Sequence, residues 1–196
     1  MTAGPETPQT APVIGCYPGS FNPPTVAHLA VAEAAVEQAR LDRLDLVVSR
    51  VALGKEDLSV PTVADRIVVL EDVASTRPWL GVAVTDAQLL VDVAAGYDVL
   101  VLGADKWAQV LDPDWYGSVT ARDDALARLP RVLVAPRGGD APSGVELLRV
   151  ADHHAHVSAT AARAGATEHM LAEAATFDAR TGAWSDPARY RAERTG

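Results

Sequence analysis

Six apolar runs of strand length recur along the chain: "PVIGCY" (12–17), "LDLVVSR" (44–50), "LGVAV" (80–84), "DVLVLG" (98–103), "RVLVAPR" (131–137) and "VELLRV" (145–150). Between and after them lie helical patterns at 26–40, 63–76, 86–95, 104–111, 118–129 and 159–175. Runs such as "DVLVLG" are apolar throughout instead of alternating, so both faces of the sheet they form must be covered. That order predicts an α/β domain with a Rossmann-like, doubly wound, mostly parallel sheet and helices on both faces. In such a sheet ligands bind beyond the carboxyl ends of the strands, where strand order reverses. Attention therefore falls on the loops after Tyr17, Arg50 and Leu102 and on the turn near Ser158.

The chain has 196 residues, 48% of them hydrophobic, enough for one sizeable core. Residues 1–11 read as a disordered leader and 12–196 as a single domain ending in helices. "PRGGDAPSG" (136–144) reads as a surface connection, and "WSDPARYRAER" as a final helix with Ser185 or Asp186 as cap and Pro187 in its first turn. No apolar run is long enough to span a bilayer and no signal-like start is present, so a cytoplasmic protein is expected, with no membrane partner. Acidic side chains number 26 against 17 basic ones, a net charge of −9 that disfavours a nucleic-acid partner. Cys16 is the only cysteine, which excludes an internal disulfide and reads as a small buried residue of the first strand. Lysine occurs only at 55 and 106, so each invites a ligand role.

The stretch "GSFNPPTVAHL" (19–29) carries the strongest local signal. Gly19 permits a tight turn after the first strand, Pro23 and Pro24 stiffen the approach to a helix, and Thr25 and His28 share one face of its first turn. That end offers unpaired N–H groups and the positive end of the helix dipole, a ready anion site. Neither packing nor capping calls for a histidine there. The alternative is that Thr25 merely caps the helix and His28 packs half-buried.

In "HVSATAARAG" (156–165), Ser158 or Thr160 can cap a helix, with Arg163 falling in its first turns, where a cation opposes the helix dipole unless an anion joins it. An ordinary cap followed by a surface arginine is the alternative. "LVLGADKWAQVLDPDWYGS" (100–118) begins at a strand end: Gly103 allows close approach, Asp105 can accept from ribose hydroxyls, and Trp107, Trp115 and Tyr116 crowd one connection. Core packing is the alternative for either tryptophan. Asp112 and Asp114 read as caps or turn residues. The cluster Asp152–His156 has histidines two apart and no second cluster at helical spacing, so no protein metal site is expected; these histidines are placed at the mouth of the Ser158 turn.

"GSFNPPTVAHL" resembles the signature of the nucleotidylyltransferase superfamily, a Gly-x-Phe-x-Pro turn followed by a His-x-Gly-His or Thr-x-x-His pair. Its Thr form is similar to that of the nicotinate and nicotinamide mononucleotide adenylyltransferases. "SATAAR" resembles the superfamily's Ser-x-Thr-x-x-Arg motif for ATP phosphates, and Gly-Ala-Asp followed by Trp-Tyr is similar to the NAD-forming members. The resemblance implies a nucleotidyltransferase that moves AMP from ATP to a small phosphorylated acceptor, releasing pyrophosphate in NAD biosynthesis. His28, Thr25 and Arg163 would be catalytic. Gly19, Ser20, Phe21, Gly103, Asp105, Ser158 and Thr160 would bind ATP, and Lys55, Trp115 and Tyr116 the acceptor, with Trp115 better placed than Trp107 to stack. Mg²⁺ would come with the nucleotide. Arg66 stands where the family often has an arginine at the start of a helix, although a surface pair with Asp65 or Glu71 reads equally well.

The chain departs from the commoner pattern at Ala27 and Thr25, and it lacks the Pro-Pro-His-Lys and Ser-Tyr-Thr runs of many bacterial members. Alternatives left open are another acceptor, such as phosphopantetheine or glycerol phosphate, and a nucleotide-binding sensor without turnover. Whether the chain forms a homo-oligomer is also left open.

Overall fold

The computed structural model describes residues 11–51, 60–136, 142–154 and 156–195. Most of the expected leader, most of the 136–144 connection and Lys55 lie outside the described residues.

Six strands form one sheet: β1 (Ile14–Pro18), β2 (Arg43–Ser49), β3 (Leu80–Thr85), β4 (Val99–Gly103), β5 (Arg131–Ala135) and β6 (Glu146–Leu147). Their order is β3-β2-β1-β4-β5-β6, and every pairing is parallel. β1 aligns Ile14 with Arg43 on one side and Gly15 with Val99 on the other. Order reverses between β1 and β4, so the crevice of a doubly wound sheet lies beyond Pro18 and Gly103.

The unbroken apolar runs follow from the two covered faces. Val99 and Val101 pack with α1 (Val26–Ala39) and α2 (Val63–Ser75), whereas Leu100 and Leu102 pack with α3 (Leu90–Val93) and α4 (Ala104–Leu111). Leu44, Leu46 and Val48 face the first cluster, and Val47 faces the second. The expected Rossmann-like α/β architecture is therefore present, with α5 (Val119–Leu126) completing the second layer through Leu126. Cys16 is fully buried in that layer.

Two expected helices differ. Residues 86–95 give only α3, because the chain from Ala87 to Leu89 lines a cavity before it coils. The continuous helix expected over 159–175 is split into α6 (Ala159–Arg163), a short turn at Thr167–His169, and α7 (Ala172–Thr181). Gly165, at φ +114°, ends the first piece. The second starts after Leu171 N–H is taken by the Pro24 carbonyl at 3.1 Å, beside an antiparallel bridge between Thr25 and Met170. The final helix, α8 (Pro187–Thr195), has the expected Pro187 start, and Asp186 caps it by accepting from Arg189 N–H at 3.1 Å.

Candidate active site

The turn after β1 is held from four directions. Gly19 N–H donates to the Val47 carbonyl at 3.0 Å. A Cβ on Gly19 would sit 2.8 Å from the Phe21 ring, so the turn needs glycine because Phe21 folds back over it. Phe21 is itself at φ +43° and 1% exposed, a conformation that a non-glycine residue holds only when its surroundings enforce it. Three long-range contacts do so. Arg66 Nη1 donates to the Ser20 carbonyl at 2.8 Å, Arg163 Nη1 donates to the Asn22 carbonyl, and the Trp184 indole N–H donates to Asn22 Oδ1 at 2.6 Å.

His28 is the third residue of α1 and completes a capping box with Thr25. Thr25 N–H donates to His28 Nδ1 at 3.0 Å, Thr25 Oγ1 lies 2.8 Å from the same nitrogen, and His28 N–H points to Thr25 Oγ1 at 3.4 Å. The histidine thus does the work usually given to glutamate or glutamine at this position, a capping need that the sequence pattern did not suggest. Because Nδ1 accepts the backbone N–H, the neutral ring carries its proton on Nε2. Phe21 packs edge-on against the ring, with centroids 5.2 Å apart, and fixes its plane. Thr25, 1% exposed, acts on this histidine from inside the fold.

Ser158 caps α6, its hydroxyl accepting from Ala161 N–H at 3.0 Å. Arg163 is the last residue of this five-residue helix, which is little more than one turn long, so it stands at the C-terminal end, where the dipole favours its charge. The expected dipole penalty is absent. Its Nη2 reaches Thr160 Oγ1 at 3.3 Å, which brings Thr160, Arg163 and the Asn22 turn together. His169 Nδ1 lies 3.5 Å from Ser158 N and His156 packs on His169, while His153 and His154 stack beside each other with centroids 3.9 Å apart. Burial and the neighbouring His153 hold the His154 pKa below the usual imidazole range. Among the described residues no group of three His, Cys, Asp or Glu side chains is placed to hold a metal ion.

A cavity of about 350 Å³ opens at the carboxyl ends of β1, β2 and β3. Gly19, Ser20, Trp115 and Tyr116 are among the residues that line it. Trp115 ends a short 3₁₀ turn, Pro113–Trp115, capped by Asp112 Oδ1, which accepts from Asp114 N–H at 3.0 Å. Trp107 instead packs against the core cluster beneath α4. Gly103 and Asp105 stand at the strand end and in the first turn of α4, the helix whose Lys106 and Gln109 line the cavity; open space lies where a Gly103 Cβ would project. Burial and the nearby Asp92 charge raise the Tyr116 pKa, keeping its hydroxyl protonated.

The described lining contains Arg50, Arg66 and Lys106 but no carboxylate, in a protein of net charge −9. Such a pocket attracts an anion with a flat apolar part. Sequence reasoning passed over Asn22 and Trp184, whose pairing spans the chain. It weighed Arg66 as a surface partner of Asp65 or Glu71, whereas the side chain is 4% exposed and turned to Ser20.

The model of the cytidylyltransferase-like family matches residues 16–165, which takes in the His28 turn, the Gly103–Tyr116 connection and the Ser158–Arg163 segment. The chain belongs to that family of nucleotidyltransferases. Over 107 residues it is 31% identical to the probable nicotinate-nucleotide adenylyltransferase of Brucella suis biovar 1 (strain 1330), an alignment covering 48% of this chain and 55% of that protein. The chain thus spans about half the length of that curated relative. Family membership bears out the superfamily resemblance drawn from the motifs. Among the described residues no helix is long and apolar enough to cross a membrane.

Proposed function

We propose that this protein transfers AMP from ATP to the phosphate of nicotinate or nicotinamide mononucleotide, releasing pyrophosphate, as a cytoplasmic step of NAD biosynthesis. One observation carries the reading: the capping-box histidine and the cation-lined cavity share the Gly19–Thr25 turn. A phosphate bound at the histidine and an acceptor in the cavity would meet at that turn.

Mg²⁺ would come with ATP, held by the nucleotide, and would supply neutralisation of the phosphate charge. An oxygen of the acceptor phosphate attacks the α-phosphorus in line. A new P–O bond forms as the bond to the β-phosphate bridging oxygen breaks, and pyrophosphate leaves with that electron pair. The protein's task is positioning and charge stabilisation rather than covalent chemistry. His28 donates from Nε2 to the α-phosphate oxygens. Thr25 fixes the ring through Nδ1, which makes it a positioning residue. Arg163 spends one donor on Asn22 and one on Thr160, and its remaining N–H groups face the β- and γ-phosphates. Ser158 and Thr160 orient this segment, Gly19, Ser20 and Phe21 pack beside the phosphates, and Gly103 and Asp105 take the ribose. Trp115 and Tyr116 hold the acceptor ring, and Lys55 meets its phosphate.

The nicotinic acceptors are supported by the two aromatic residues that line the cavity, Trp115 and Tyr116, and by the Brucella relative's name. The test is kcat/KM with ATP for nicotinate mononucleotide, nicotinamide mononucleotide, phosphopantetheine and glycerol 3-phosphate. A preference for either nicotinic acceptor of at least about 100-fold, on the order expected from a ring-stacking site with paired anions, supports the proposal. Higher efficiency with a ring-free acceptor would reject it.

A further inference from the structure

Arg66 is 4% exposed and lines the cavity, yet its guanidinium is only partly satisfied: Nη1 reaches the Ser20 carbonyl, while Nε is buried without a partner. None of the ion pairs among the described residues includes it. The adjacent carboxylate, Asp65, is taken by Thr62, Tyr190 and Arg194. The other two cations of the cavity differ: Arg50 pairs with Asp86 at 3.2 Å, and Lys106 donates to Gln109 at 2.6 Å. A buried cation without a counter-charge is costly, and the apolar neighbours Val47, Val63, Val93 and Val110 deepen the cost by lowering the local dielectric. Burial also draws the Arg66 pKa below the ordinary guanidinium value.

We infer that Arg66 is the cavity's phosphate receptor: its free Nε–H takes the acceptor's phosphate while Nη1 holds the Ser20 carbonyl. Identifying that phosphate as the acceptor's rests on the reading above; the anion site itself does not. Ser20 immediately precedes the strained Phe21, so one guanidinium joins the incoming nucleophile to the turn that carries the His28 ring. Arg66 therefore sets where the attacking oxygen stands relative to the α-phosphate.

The experiment is titration of the purified protein with inorganic phosphate at matched ionic strength, by calorimetry and by thermal melting, in wild type, Arg66→Met and Arg66→Gln. Arg66→Met removes an uncompensated charge, so its melting temperature without phosphate should equal or exceed that of wild type. Phosphate should raise the wild-type melting temperature, and its affinity should fall about tenfold or more in both variants. If Arg66→Met does not fold, Arg66→Gln decides alone, since it keeps a donor for Ser20 and lacks the charge. Lower melting with phosphate affinity unchanged would reduce Arg66 to a tie for the turn and overturn the inference. Arg66-dependent phosphate binding with no turnover on either nicotinic mononucleotide would keep the anion site and remove the proposed acceptor.

Discussion

The Trp184 indole donates to Asn22 Oδ1 at 2.6 Å, joining two buried side chains 162 positions apart. Trp184 is itself fixed by the Asp178 carboxylate, which accepts its backbone N–H at 2.6 Å. The segment that follows α6 therefore closes over the β1 turn although it lies beyond the 16–165 family match. Trp184→Phe keeps the ring but leaves Asn22 Oδ1 without its donor in a dry site. Loss of about 1–3 kcal/mol of stability is expected in chemical denaturation. Because Arg163 bonds to the carbonyl of the same Asn22, kcat should fall while the KM for ATP changes little. Unaltered denaturation would show that the contact contributes nothing.

Thr25 and His28 should separate in degree. Thr25→Val removes the hydroxyl beside Nδ1 and weakens the cap, costing about 1 kcal/mol of stability. Its kcat should fall less than that of His28→Ala, which is expected to lose about 100-fold or more. Thr25→Ser, which restores the hydroxyl, should recover most of the Thr25→Val loss. Equal loss in Thr25→Ser and Thr25→Val would contradict a hydrogen-bonded positioning role.

The two tryptophans after β4 should separate in kind. Trp115→Ala, in the cavity lining, is expected to raise acceptor KM by an amount corresponding to about 1–3 kcal/mol with little change in melting temperature. Trp107→Ala, packed on the core, is expected to cost up to about 3 kcal/mol of stability. Steady-state kinetics and melting of the same pair of variants decide between them.

These assignments were unequally legible in the sequence. The strands were legible because a doubly covered parallel sheet demands apolar residues at consecutive positions, as at Val99–Leu102. Gly19, Phe21 and His28 announced themselves because their spacing is local. Three features left no such trace. The capping role of His28 uses a side chain uncommon at that position, and the break in the 159–175 helix depends on Leu171 meeting Pro24 from a distant part of the chain. Arg66 reads as one more polar residue on an amphipathic helix, and its burial follows from how α2 packs against the Ser20 turn and the C-terminal Tyr190.

Alkaline pH should destabilise the protein through Cys16 and Tyr97. Burial, aided by the Asp45 charge, pushes the Cys16 thiol from 9.0 up to about 12, and burial with Asp45 pushes Tyr97 from 10.0 to about 12. Both acids are therefore weaker in the folded state. Their contribution is fully present below pH 9 and is lost as the unfolded groups ionise, from about 9 up to about 12. Melting temperature should decline across that window, and a thiol reagent at pH 8 should label Cys16 only at the rate of unfolding. Rapid labelling of the native protein would contradict the buried thiol.

In the proposed reaction a nucleotide phosphate reacts beside His28. The most direct measurement is pyrophosphate release from Mg²⁺–ATP with a nicotinic mononucleotide, comparing wild type with His28→Ala of matched circular dichroism. Release should require the acceptor and fall about 100-fold or more in the variant. Acceptor-independent release, or equal release from both proteins, would contradict it.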